Sequence, residues 1–203
     1  MDWNARFEGQ DYAYGTAPAD FVAARMADLG AGARVLTIAE GEGRNAVWLA
    51  RQGYAVTAVE PTDNGRTKAL ALAAQHGVAL DWQARDLRNY DWPEAEFDAV
   101  LGCFFQFATP EFRNRILAGL GGALRPGGLL FLHGFSTRQL ENASGGPRVE
   151  EQLWTVERIL REFPGWPVLR AEDYDAMLAE GPGHAGRAAL VDVILRRPGV
   201  VGG

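Results

Sequence analysis

The sequence predicts an α/β protein: a doubly wound, mostly parallel sheet with helices on both faces and a last strand running against the others. Three observations carry that prediction. Continuous apolar runs of strand length alternate with helical stretches, as strands buried on both faces require; "RVLTIA" at 34–39 is the first. A glycine turn, "EGEG" at 40–43, joins that strand to the following helix. Near the end, two strand patterns are separated only by "AEGPGHAG" (179–186). Parallel strands need a crossover of about a dozen residues, so this pair forms an antiparallel hairpin.

The elements follow in order. Residues 18–29, "PADFVAARMADL", form an amphipathic helix opened by Pro18 and stopped by Gly30. After the strand at 34–39 and the glycine turn, a helix over 44–52 ends at Gly53. A second strand spans 54–60, and a second helix spans 62–76, with His76 capping its end beside Gly77. "ALDWQARDL" (79–87) and "FDAVLGCFF" (97–105) give the third and fourth strands. A helix over 109–124 is halted by "RPGG" before the fifth strand, 129–135. Residues 148–163 show helical amphipathicity, and 168–178 with 187–197 supply the hairpin. The Gly- and Pro-weighted tail, 197–203, is expected to be flexible. No repeat or linker intervenes, so 1–203 is expected to be one domain, with 1–30 as a lid and helix segment.

Composition narrows the function. A net charge of −6 and a pI near 5.1 argue against a nucleic-acid or anionic-membrane surface and favour a small-molecule partner. No apolar run approaches the roughly 18 residues needed to span a bilayer. The polar start "MDWNARFEGQDY" has no signal-peptide core, and Cys103 is the single cysteine, so a cytoplasmic location is expected. No metal ion is expected, and the protein is expected to be a monomer or homodimer.

In such sheets the ligand binds beyond the carboxyl ends of the strands. That rule singles out Ala39 to Gly43, Glu60 to Thr62, Asp86 and Leu87, Cys103 to Gln106, and His133 to Phe135. Gly41 and Gly43 allow close backbone approach. Glu60, at the tip of the second strand, is placed to accept hydrogen bonds from the hydroxyls of an adenosine ribose. Gly41 to Ala46 satisfies a loose G-x-G-x-x-A, so an NAD(P)-dependent reductase is a competing reading. Against it, Glu40 and Glu42 put negative charge where a diphosphate would lie, no Tyr-x-x-x-Lys hydride-transfer motif appears, and the chain ends in a hairpin. An adenosine carrying a sulfonium and an ammonium suits the acidic turn better, which points to S-adenosyl-L-methionine. Glu40 is the expected donor contact and Glu42 is expected to face solvent.

Further stretches agree with this reading: "YAYGTAPADF" (12–21), "VLTIAEGEGRNAVWLA" (35–50), "GYAVTAVEPTDNGRTKA" (53–69), "LRPGGLLFLHGF" (124–135), "SGGP" (144–147) and "EGPGHAGRAALV" (180–191). With these, the chain resembles class I S-adenosylmethionine-dependent methyltransferases. Within them it is similar to the small bacterial group related to tellurite-resistance and thiopurine methyltransferases. The resemblance implies a Rossmann-like seven-stranded mixed sheet of order 3-2-1-4-5-7-6 with strand seven antiparallel. It implies that Glu40, Gly41 and Gly43 flank the methionine part of the donor, and that Glu60 holds the ribose. Pro61 and Thr62 would lie beside the adenine, Asp86 would accept from its amino group, and the Leu87 backbone would address the ring. Cys103 and Phe104 would line the far side, with Tyr14 and Thr16 folding over the site. The sequence departs from the family pattern at Gln106 and His133, where a histidine and a glutamate are usual, and at Thr37, where an acid is common.

Methyl transfer is an in-line displacement that requires a nucleophile about 3–3.5 Å from the methyl carbon and exclusion of water. His133, Gln106 and His184 are the candidates for acceptor contact or proton transfer, yet no catalytic base is evident from sequence. That favours an acceptor needing little deprotonation, such as a thiol, selenium or tellurium compound. The alternatives are the reductase and a non-catalytic module that binds an adenosyl ligand.

Overall fold

A computed structural model describes residues 1–199. Seven strands form one sheet in the order β3-β2-β1-β4-β5-β7-β6. They are β1 (Arg34–Ile38), β2 (Ala55–Val59), β3 (Asp81–Gln83), β4 (Phe97–Cys103), β5 (Leu124–Phe135), β6 (Val168–Ala179) and β7 (Ala185–Arg196). The pairs β1–β2, β1–β4, β2–β3 and β4–β5 are parallel, whereas β7 runs antiparallel to β5 and β6. The helices are α1 (Trp3–Arg6), α2 (Asp20–Arg25), α3 (Arg44–Arg51), α4 (Asp63–Gln75), α5 (Pro110–Ala123) and α6 (Val156–Leu160).

Strand side chains alternate between faces, so each central strand feeds two cores. Leu36, Ile38, Val100, Leu130 and Leu132 pack with Ile116, Leu117 and Leu120 of α5 on one face. Val35, Ala99, Leu101 and Phe131 pack with Phe21 and Val22 of α2 and Ala46 and Leu49 of α3 on the other. The sheet ends in two unequal edges: β3 has three residues, and β6 carries Arg170, Glu172, Asp173 and Asp175.

Several boundaries differ from the sequence expectation. β3 is confined to Asp81–Gln83, because Arg85 N–H turns back to the Gln83 carbonyl at 2.9 Å. β4 stops at Cys103, where Phe104 takes a left-handed φ of 53°. The "RPGG" turn lies inside β5 instead of before it, as an irregular start in which Gly127 has φ 82° and donates to the Arg197 carbonyl at 2.9 Å. Arg197 N–H in turn donates to the Gly128 carbonyl at 2.8 Å, so the expected flexible tail begins with a residue fixed to the sheet; 200–203 lie outside the described residues. α2 is shortened to Asp20–Arg25, with Pro18 outside it.

The helix expected over 148–163 is interrupted. A 3₁₀ turn at Glu150–Gln152 and α6 flank the extended pair Leu153–Trp154. Trp154 N–H donates to the Phe135 carbonyl at 3.0 Å, and its carbonyl accepts from Thr137 at 3.1 Å. The fully buried Trp154 therefore extends the end of β5 instead of continuing a helix.

Candidate active site

The glycine turn after β1 is held from beneath by α4. Gly41 and Gly43 have φ of 59° and 84°, and a Cβ on Gly43 would lie 2.4 Å from the Ala69 Cβ. A Cβ on Gly65 would lie 2.4 Å from the Gly41 carbonyl oxygen. Ala39 also has positive φ, 50°, so strained backbone brackets the ends of both β1 and β4, as at many functional sites.

Gly43 caps α3 without a side chain, and Glu40 supplies the missing acceptor. Its Oε2 receives the Ala46 N–H at 3.0 Å. Burial pushes the Glu40 carboxyl up to about 8, against the opposing effects of that N–H and the Arg44 charge. Glu42 does not face solvent. It is buried, its Oε1 accepts from Lys68 Nζ at 2.7 Å, and its Oε2 accepts from the Tyr14 N–H at 3.4 Å. The expected solvent exposure fails because Lys68, one α4 turn beyond Asn64, reaches beneath the glycine turn and needs a counter-charge where it is buried. Neither glutamate is the bare charge that the sequence suggests.

Glu60 extends from the end of β2 toward the same turn. Its Oε2 accepts from Gly41 N–H at 3.1 Å, and its Oε1 accepts from Thr62 N–H at 3.0 Å and Oγ1 at 2.7 Å. Burial raises its pKa, and these donors partly offset that. A carboxylate offers about four lone-pair positions, so capacity for a hydroxyl donor remains. Thr62 is buried beside it and Pro61 is exposed. Asp86 is gripped by the Arg88 guanidinium, whose Nε donates at 2.9 and 3.0 Å, and this holds its carboxyl below the usual range. Leu87 is buried next to it in the core. A cavity of about 530 Å³ opens alongside, lined by Arg66, Trp82, Gln83, Ala84 and Arg85.

The N-terminal segment lies across this end of the sheet. Asn4 accepts two hydrogen bonds from Asn64, at 3.0 and 2.8 Å, and Phe7 is buried with its ring against Gly41. Tyr12 Oη donates to the Lys68 carbonyl at 3.0 Å, and Ala13 accepts from Gly183 at 2.8 Å. Ala19 N–H donates to Asn45 at 2.9 Å and Asp20 N–H to Glu180 at 3.0 Å. Tyr14 stands half-buried with its ring on His184, while Thr16 is exposed. Arg44 and Glu180 form a buried ion pair at 2.9 Å beneath the segment, and Arg44 also reaches the Tyr14 carbonyl at 3.2 Å. Burial opposes ionisation of Glu180, but the Arg44 charge, the Arg44 hydrogen bond and the Asp20 N–H outweigh it and hold the carboxyl at about 2.

The remaining candidates gather at the ends of β4, β5 and β7. Cys103 is buried, and desolvation pushes its thiol well up, which disfavours a nucleophilic thiolate. The Gln106 amide spans the Phe135 backbone, donating to the carbonyl at 2.8 Å and accepting the N–H at 2.5 Å. It pins the end of β5. His133, 1% exposed, has its Nδ1 2.7 Å from Asp192 Oδ1 and its Nε2 without a partner among the described residues. His184 has its Nδ1 3.8 Å from Glu180, too long for a hydrogen bond, and desolvation lowers its pKa. Phe104 lies between the two imidazoles, with centroids 4.7 Å from His133 and 4.2 Å from His184. Sequence reasoning gave no role to Phe7, Phe21, Lys68, Glu180 and Asp192; Phe21, Lys68 and Glu180 lie in the stretches 12–21, 53–69 and 180–191 that signalled the site, whereas Phe7 and Asp192 gave no signal.

Residues 35–128, from β1 into β5, match the family described as "Methyltransferase domain". Uncharacterized proteins of Mycobacterium bovis and Mycobacterium tuberculosis are 28% identical over 114 residues, 56% of this chain and 41% of theirs. The chain thus matches about two-fifths of the length of those relatives. TehB from Haemophilus influenzae superimposes with a TM-score of 0.74 at 17% identity, covering 90% of this chain and 63% of TehB. A structure from a study of conversion of a disulfide bond into a thioacetal group during echinomycin biosynthesis gives 0.72 at 20% identity, covering 94% and 86%. The Burkholderia thailandensis 1,6-didemethyltoxoflavin-N1-methyltransferase, with bound 1,6-didemethyltoxoflavin and S-adenosylhomocysteine, gives 0.64 at 21% identity, covering 88% and 76%. At these identities the structural likeness speaks for the fold. The strand order 3-2-1-4-5-7-6 gives this chain the Rossmann-like methyltransferase fold, and residues 35–128 match a methyltransferase domain.

Proposed function

We propose that the protein transfers the methyl group of S-adenosyl-L-methionine to a small molecule, with 1–203 acting as one unit. The observation that carries this reading is the Gly41–Glu60 link, which sets a buried carboxylate with spare acceptor capacity directly beside a glycine turn. Glu60 would hold the ribose. Gly41, Gly43 and Glu40 would border the methionine part, and a nearby cation would draw the proton from Glu40. Pro61, Thr62, Asp86 and Leu87 would receive the adenine, with Asp86 shared with Arg88. Cys103 and Phe104 would form the far wall, and Tyr14 and Thr16 the cover. Once bound, the donor supplies an electrophilic methyl on a sulfonium sulfur; the chain's share is orientation and exclusion of water.

Family resemblance puts thiol, selenium and tellurium compounds on the acceptor panel. Calorimetric titration with S-adenosylmethionine, S-adenosylhomocysteine and NADH tests the donor. Micromolar binding of the adenosyl ligands and none of NADH is expected, with Glu60→Ala weakening the donor about tenfold or more, in line with loss of a charge-assisted hydrogen bond. His133→Ala should leave donor affinity within about twofold, since every shift of 1.4 kcal/mol is tenfold and no donor contact is assigned there. Binding of NADH alone would favour the reductase; donor binding without methylation of any compound would favour a silent module.

A further inference from the structure

We propose that His133 and Asp192 form a general-base dyad, and that the acceptor is a small compound methylated on an ionisable hydroxyl or ring N–H. This rests on the methyltransferase reading above.

The geometry begins at Asp192 on β7, directly opposite His133 in the antiparallel register with β5. Its Oδ1 lies 2.7 Å from His133 Nδ1 and also accepts from Tyr174 Oη at 3.1 Å; its Oδ2 accepts from Arg170 Nε at 3.0 Å. Burial pushes the Asp192 carboxyl up, but the hydrogen bonds to His133 and Arg170 and the Arg170 charge oppose it, and the carboxyl lies below its ordinary range. An ionised carboxylate only accepts, so in a neutral ring the proton sits on Nδ1 and Nε2 carries a free lone pair. That lone pair is buried and has no partner among the described residues. A packed structural histidine would ordinarily satisfy both nitrogens.

Its surroundings suit a flat, apolar acceptor. Phe21 stacks on the imidazole at 4.8 Å and 9°, and Phe104 meets it edge-on. Phe104 is the strained residue at the end of β4, and its N–H donates to the His133 carbonyl at 2.8 Å. Phe21 belongs to α2, which follows the segment that covers the glycine turn, and is itself buried in the core, so in this proposal an acceptor reaches Nε2 by displacing the Phe21 ring. A thiolate or tellurite needs no such base, whereas a hydroxyl or ring N–H does. As the acceptor oxygen or nitrogen forms its bond to the methyl carbon, His133 Nε2 takes its proton and the carbon–sulfur pair leaves with sulfur. Asp192 balances the imidazolium until the proton passes to water. Asp192, Tyr174 and Arg170 are positioning residues.

The test has two arms. Without any ligand, ¹⁵N NMR of the imidazoles should show His133 with Nδ1 protonated and Nε2 bare, and Asp192→Asn should move the proton to Nε2, because the amide donates to Nδ1. A wild-type ring protonated at Nε2 alone would overturn the dyad. With labelled S-adenosylmethionine, transfer is measured to phenols and heteroaromatic N–H compounds of graded acidity, beside thiols, selenite and tellurite. Asp192→Asn and His133→Gln should each slow methylation of un-ionised acceptors by about 10²-fold or more, the usual range for a general base. The same variants should slow acceptors already ionised, such as a nitrophenolate, only a few-fold, with donor affinity unchanged. Tyr174→Phe, a milder change, should give a smaller loss with the same dependence on acidity. Equal losses across the acidity series, or methylation confined to thiols, selenite and tellurite, would overturn the proposal. Loss of donor binding in the wild-type protein would instead overturn the methyltransferase reading, leaving the NMR result to stand on its own.

Discussion

Gly43 meets two demands at one residue: a φ of 84° and a Cβ position 2.4 Å from Ala69. Gly43→Ala therefore combines left-handed strain of about 1–2 kcal/mol with overpacking of about 1–3 kcal/mol. Urea unfolding should show a loss of about 2–5 kcal/mol with little change in m-value. The buried pair Arg44–Glu180 makes a second residue-scale prediction. Glu180→Ala leaves the Arg44 charge buried without its partner and should cost about 3–5 kcal/mol in the same assay. Glycines in a strand-to-helix turn are legible in a sequence because the turn is local. Glu180 lies 136 residues from Arg44, and Asp192 lies 59 from His133, so no spacing announces either pair. The polar partners of the site, unlike its glycines, emerge only once the sheet brings distant strands together.

Among the elements, the N-terminal segment is tied down largely by hydrogen bonds, with Phe7 as its buried apolar anchor. Two Asn4–Asn64 hydrogen bonds, the Tyr12–Lys68 and Ala13–Gly183 bonds, and Phe7 on Gly41 hold it across the glycine-turn end of the sheet. Such regions open at low free-energy cost relative to central strands. Limited proteolysis should therefore cut first within residues 1–17, and S-adenosylhomocysteine should slow that cleavage several-fold by retaining Tyr14 and its neighbours over the ligand. Unchanged cleavage with ligand bound would remove the segment from the donor site. The interrupted helix at 148–163 shows why one element misled sequence reading. Its apolar spacing suits a helix, but Trp154 makes its backbone bonds with the end of β5, a tertiary preference that no local pattern records. The strands were legible because burial on both faces writes itself as unbroken apolar runs.

At the scale of the whole molecule, buried carboxyls displaced in opposite directions shape stability against pH. Glu180 titrates near 2 when folded and Asp192 is also depressed, so their contribution is present above the ordinary carboxylate range and fades as pH falls from about 4.5 toward 2. Glu40 is raised to about 8 and Glu60 is raised too, so the folded state holds protons that the unfolded chain has released, and stability declines as pH rises from about 4.5 toward 8. Thermal midpoints should peak between these limbs, and Glu40→Gln should flatten the alkaline one. The two ends of the sheet have a consequence of another kind. At one margin β3 offers three residues, and at the other β6 sets Arg170, Glu172, Asp173 and Asp175 along its free side. A three-residue rim is too short to template an added strand, and charges along the longer one make a second molecule's backbone unwelcome there. Self-association in concentrated solution should therefore proceed, if it occurs, through helix faces, and cross-β growth from the native sheet should be suppressed.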